Sequence, residues 1–166
     1  MNRQWPVPEW LSQYSYHERP RQFGNQRDGG RRLHAGCDLY APLSSPVVAI
    51  TNGRVISSGL FYLGSYEVTV DHGALGLVRY GELSAEELTH VGQLVQPGEL
   101  IGRIGSLSGI KVHPMLHIEW YDPRALADLP LTKRQAGPYE RSQWLRDCSQ
   151  LLDSLLCLRK GAQCAG

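Results

Sequence analysis

A mainly β fold, an antiparallel sheet or sandwich closed by a C-terminal α-helix, is what this sequence predicts. Three observations predict it. Short apolar segments recur between residues 39 and 105 with turn dipeptides between them, a rhythm that favours antiparallel strands over βαβ units. Eighteen glycines and ten prolines supply the punctuation such a fold needs. Near the C-terminus, Trp144, Leu145, Cys148, Leu151, Leu152 and Leu155 fall at the three- and four-residue steps of a helical stripe.

Taken in order, residues 1–20 read as an N-terminal arm. Pro6 and Pro8 keep it extended, and Trp5 and Trp10 are apolar anchors that would pack it on the adjoining domain. Residues 21–122 read as one β-rich domain and 123–166 as an extension. The stretch 21–33, with Arg21, Arg27, Arg31 and Arg32 among glycines, predicts a loop. Pro46–Thr51 and Arg54–Ser58 flank Asn52-Gly53, which predicts a two-residue hairpin. Tyr66–Asp71 and Leu77–Tyr80 predict two strands joined at His72-Gly73, and Glu99–Ile104 a strand behind the Pro97-Gly98 turn. Ser84 with Glu87 has the form of a capping box and predicts a helical turn up to His90. Pro138 and Gly161 bracket a helix over about 139–160. Of the four cysteines, Cys37 faces the core by alternation, Cys148 lies on the helical stripe, and Cys157 and Cys164 are either a bridged pair or free thiols.

Two polar stretches stand out against this frame. In an extended His34-Ala35-Gly36-Cys37-Asp38, the first and last residues share one face, and Cys37 and Leu39 take the other. In Met115-Leu116-His117-Ile118-Glu119 the alternation puts Met115, His117 and Glu119 together, with His113 in step. Two such strands side by side bring His34, Asp38 and His117 to one point. Two imidazole nitrogens and one carboxylate oxygen with an open fourth position suit a catalytic Zn2+. The same residues also fit a solvated sheet face.

Further motifs surround these two. Phe23-Gly24 followed by Arg27, then His34-x-Gly36-x-Asp38, Pro46–Val55, Asp71-His72-Gly73, Tyr80-Gly81-Glu82-Leu83, Val95–Gly98, Ile101–Gly105 and Leu116–Glu119 occur in a fixed order. That order resembles the lysostaphin-type zinc endopeptidases that cut peptidoglycan cross-links, over about residues 21–122. The resemblance implies that fold, a zinc ion held by His34, Asp38 and His117, and peptidoglycan peptide stems as substrate. It also implies two accessory histidines that this chain lacks: Glu82 and Met115 stand at their positions.

The candidates for proton transfer are therefore Glu82, which as a carboxylate can act as a general base, together with His113 and His72. Two readings stay open. One is a zinc-dependent endopeptidase or amidase of the cell wall, working as an antibacterial effector, a secreted toxin or a lysis protein. The other is an inactive relative that binds wall peptides or regulates a wall hydrolase. A net charge of +1 and a pI near 7.7 carry no footprint for nucleic acid. No apolar run is long enough to span a bilayer. Residues 1–20 do not have the pattern of a secretory signal peptide. The expectation is synthesis in the cytoplasm, action in the periplasm or outside the producing cell, and a delivery or immunity protein as partner.

Overall fold

Residues 2–129 and 140–159 are described by a computed structural model. In chain order the strands are β1 (Gln26–Arg27), β2 (Arg32–Leu33), β3 (Cys37–Tyr40), β4 (Pro46–Val48), β5 (Gly53–Leu60), β6 (Tyr66–Asp71), β7 (Leu77–Leu83), β8 (Leu94–Val95), β9 (Leu100–Arg103), β10 (Met115–Tyr121) and β11 (Leu145–Arg146), and after them comes the helix α1 (Cys148–Arg159). A seven-stranded antiparallel sheet runs β11-β10-β7-β6-β5-β8, with β3 also on β10. The pairs β1–β2 and β4–β9 form two smaller sheets. The predicted antiparallel fold with its C-terminal helix is the fold observed.

Alternation divides the large sheet into two unlike faces. Cys37, Leu39, Val68, Val70, Val78, Tyr80, Leu116 and Ile118 face one side and build the main core. That core takes in Val47 and Ile101 from the β4–β9 sheet, Leu151, Leu152 and Leu155 from α1, and Trp5, Val7 and Tyr16 from the N-terminal segment. Trp5, Trp10 and Tyr16 form an aromatic cluster with ring centroids 4.9–6.1 Å apart. The Tyr16 hydroxyl donates to Asp153 on α1 at 2.7 Å. The arm, the domain and the extension expected from the sequence thus share one core.

Three local expectations are corrected. The strands on either side of Asn52-Gly53 do not pair with each other: β4 pairs with β9, and β5 with β6 and β8. Gly53 serves close packing instead, since a Cβ there would stand 2.5 Å from Val70 and 2.6 Å from His72. Ser84–His90 forms no helix; Glu87 takes φ +54° and its carboxylate pairs with Arg103. The C-terminal helix begins only at Cys148, because Leu145–Arg146 extends the large sheet beside Trp120 and Tyr121. The expected start at Tyr139, the end at Lys160 and Cys164 lie outside the described residues.

Candidate metal centre

The second face of the large sheet carries a smaller apolar cluster at Leu77 and Tyr121 and, around Asp38 and His117, polar side chains that are buried. Strand register aligns Asp38 with His117 and His117 with Gly81, so a row from β3 through β10 to β7 crosses one point of that face. His34 reaches the same point from the bend between β2 and β3. Gly36 permits the approach. A Cβ at residue 36 would stand 2.3 Å from the Ile118 carbonyl oxygen and 2.8 Å from the His117 ring, distances no side chain tolerates. The donor atoms converge closely: His34 Nε2 lies 3.1 Å from Asp38 Oδ1 and 3.1 Å from His117 Nδ1, and His117 Nδ1 lies 2.9 Å from Asp38 Oδ1. None of the three residues is more than 6 % exposed.

Hydrogen bonds on the outer side of each ring fix what the inner side offers. His34 Nδ1–H donates to the Gln22 carbonyl at 2.8 Å, which leaves Nε2 as a lone pair. His117 Nε2–H donates to Glu119 Oε1 at 3.0 Å, which leaves Nδ1 as a lone pair in the neutral ring. Burial holds the His34 imidazole below its ordinary pKa, outweighing the opposite pull of Asp38. Burial alone would raise the Asp38 carboxyl, but a proton carried on the inner nitrogen of His34 or His117 outweighs burial and holds it below the usual carboxylate range. With both rings neutral, three acceptors face one another, an arrangement that a cation between them relieves. Zinc bonds of about 2.0–2.1 Å in a tetrahedron separate ligand atoms by about 3.3 Å, close to the spacing found. The donor set fits zinc, with three protein ligands and one position left for water or substrate.

Behind His117 runs a chain of buried polar groups. Glu119, fully buried, also accepts from Arg79 Nη1 at 2.9 Å and from the Tyr121 hydroxyl. Arg79 Nε lies 3.7 Å from Glu67, which in turn accepts from Thr69 and Ser57. The guanidinium also lies 5.6 Å from the Phe61 ring centroid. Such partners set a ligand's tautomer and orientation and raise its basicity. On the other side, Arg27 Nη2 lies 3.4 Å from Asp38 Oδ2, while Oδ1 faces the two imidazoles. At the rim, Tyr40 stacks with His113 at 5.0 Å, Tyr14 joins them at 5.5 and 5.7 Å, and Arg21 lies 5.2 Å from the Tyr40 centroid.

The candidates for proton transfer are placed differently from one another. Between the core residues Tyr80 and Leu83 stand two residues, Gly81 and Glu82, where alternation allows one. The register shifts there, and Glu82 takes φ +64°. This β-bulge frees Glu82 from the core face next to the row that carries His117. His113 lies exposed on the aromatic rim, two residues before the buried Met115. His72 is not brought to the cluster. It comes directly after Asp71, which pairs with Leu77 opposite Tyr121, four residues along the strands from His117. At about 3.4 Å per residue that is roughly 14 Å along the strands alone. Its imidazole instead donates from Nδ1 to the Asn52 carbonyl and accepts at Nε2 from the Tyr80 hydroxyl. Arg79 is a site residue that the sequence alone does not single out, whereas Arg27 belongs to the motif order read from the sequence; the signal for Arg79 is its place two residues from Gly81 on a strand that otherwise carries core residues, Gly81 and Glu82.

The sequence profile of peptidase family M23 matches residues 32–128. The L-Ala–D-Glu endopeptidase of Bacillus subtilis is 31% identical over 117 residues, 65% of this chain and 35% of that protein. An uncharacterised protein of Haemophilus influenzae is 39% identical over 88 residues, 53% of this chain and 21% of that one. The chain thus spans between a fifth and about a third of these relatives. Among solved structures, a zinc-containing peptidase from Vibrio cholerae superposes with a TM-score of 0.57 at 26% identity, covering 74% of this chain and 37% of that one. The antimicrobial peptidase lysostaphin from Staphylococcus simulans superposes with a TM-score of 0.65 at 21% identity, over 100% of this chain and 58% of that one.

Proposed function

From the premise that the chain belongs to peptidase family M23, we propose that it is a zinc-dependent endopeptidase or amidase that cleaves peptide bonds in the stems or cross-links of bacterial peptidoglycan. The observation that carries this reading is the convergence of three acceptor atoms from His34, Asp38 and His117, each ring held by an outer hydrogen bond in the tautomer an ion requires. Zinc bound there would lower the pKa of a bound water towards about 7 and polarise the scissile carbonyl. His34 and His117 present lone pairs, and Asp38 adds the one negative charge of the ligand set. Glu82, on its bulge beside Gly81, is the group assigned to accept the water proton and return it to the leaving amine. His113, stacked on Tyr40, is assigned to the rim, where it orients the peptide or donates to it. His72 has no part in the reaction.

Metal analysis with activity measurement tests this. The purified chain should carry about one zinc per molecule, lose it in His34→Ala, Asp38→Ala or His117→Ala, and release peptide fragments from purified peptidoglycan only when loaded. Folded protein that takes up no zinc would sink the site assignment.

One observation favours a second reading. Met115 is buried on the ligand face, and a thioether neither donates a hydrogen bond nor carries a proton. A non-catalytic chain that binds wall peptides through the same site would bind zinc and wall fragments yet release nothing. The site of action we assign is the periplasm or the exterior. Cys157 is disulfide-bonded, which suits an oxidising compartment. Among the described residues no helix is long and apolar enough to cross a membrane. A role as an antibacterial effector or lysis protein, with a delivery or immunity partner, belongs to the same proposal.

A further inference from the structure

Directly behind the metal centre, on the core face of the same strand, lies a second pair of reactive groups. Cys37, one residue before Asp38, points into the core and meets Cys148, the first residue of α1. Both side chains are fully buried and both are free thiols. Their sulfurs stand 3.0 Å apart, closer than the ~3.5–4.0 Å at which non-bonded heavy atoms settle. The surroundings leave little else for them to do. Leu39, Ile118, Leu151 and Leu152 belong to the same apolar core, and no third metal-ligating side chain joins the pair among the described residues. Burial pushes the Cys148 thiol well above its usual range, so it is no nucleophile in the folded protein. Cys157, on the same helix, is already disulfide-bonded.

We infer that Cys37 and Cys148 form a disulfide when the chain folds in the presence of a disulfide oxidant, stapling α1 to the strand that carries Asp38. With oxidised glutathione the exchange balances. One cysteine thiolate attacks the glutathione disulfide and releases one glutathione thiolate; the second cysteine thiolate then displaces the other. The glutathione S–S bond breaks, the Sγ–Sγ bond forms, two electrons pass from the cysteines to glutathione, and the two thiol protons end on two glutathione molecules. The exchange belongs to folding, before α1 closes over Cys37, because the folded core excludes the oxidant. The bond spans 111 residues, and links that close long loops restrict the unfolded chain most. None of this depends on the proposed reaction.

The test uses the full chain with Cys157→Ser and Cys164→Ser, which leaves only this pair. The reduced, unfolded protein is refolded with oxidised glutathione, unfolded again, and treated with N-ethylmaleimide before and after reduction. Monomer that takes up no label until reduced, and then labels at both cysteines, is the expected result. Labelling of both before reduction, or a glutathione adduct left on either, would overturn the inference. Reductant should also lower the melting temperature of this variant by roughly 5–15 °C; an unchanged value would overturn the stapling role. If the variant does not refold, fragment mass spectra of the oxidised wild-type chain decide: a Cys37–Cys148 cross-link upholds the pair, and free thiols at both positions overturn it.

Discussion

At the scale of single residues, the chemistry turns on which nitrogen of each histidine is left bare. Glu119 decides this for His117, and Arg79 balances the buried charge of Glu119. Glu119→Gln keeps the shape but weakens the acceptor, so zinc affinity should fall about 10- to 100-fold with the fold intact. Competition with a chromophoric chelator measures it; an unchanged affinity would mean that packing alone sets the ring. Glu82→Gln should keep zinc and lower kcat on purified peptidoglycan by about 10²–10⁴-fold. Full activity would move the base to His113. The convergence of His34, Asp38 and His117 was legible in the sequence because they sit at strand spacing and in a familiar order of motifs. The polar chain behind it was not. Glu67, Thr69 and Arg79 occupy the polar positions of alternating strands, a pattern that reads as a face open to water.

At the scale of elements, two misreadings have one cause: a local signal was spent on a distant contact. Gly53 answers to Val70 and His72, and Leu145 to Tyr121, and neither partner can be read from the neighbouring sequence. His72 shows what the first of these contacts does. It ties the Asn52 carbonyl to the Tyr80 hydroxyl, which itself accepts from the Ile50 amide at 3.2 Å. Burial lowers its pKa below the ordinary value near 6.5, against the pull of the Asn52 carbonyl. The unfolded chain therefore takes up this proton first. The neutral ring's stabilising contribution is complete above pH about 6.5 and is lost as pH falls from there through the folded value. The melting temperature should drop on acidification from about pH 7.5 to about pH 5.5, and His72→Gln should drop less. Equal slopes in the two proteins would count against this coupling.

At the scale of the whole molecule, the sheet separates duties by face. One side holds the core that α1 and the N-terminal segment complete; the other holds the His34–Asp38–His117 cluster, its polar supports and a smaller apolar cluster around Leu77 and Tyr121. Composition and turn spacing made the first side legible, since apolar alternation and a helical stripe are periodic signals. The second side is aperiodic, and only His34, Asp38 and His117 announced themselves. If the wall is the substrate, toxicity depends on location. The chain should be harmless in the cytoplasm of a test bacterium and lytic when an added leader sends it to the periplasm. Toxicity that persists in His117→Ala would point away from hydrolysis.

The two histidines of the triad are oriented by unlike means, and mutation should treat them unequally. His117 leans on a carboxylate side chain, so a change of the codon for Glu119 reaches the proposed metal site directly. His34 leans on the main-chain carbonyl of Gln22, which every amino acid possesses. Position 22 is thus free to drift without altering the acceptor, provided that the backbone bonds around it persist: the Gly24 amide to the His34 carbonyl and the His34 amide to the Asn25 carbonyl. Half of the cradle is inherited as side-chain chemistry and half as chain shape, and a comparison of letters alone would register only the first.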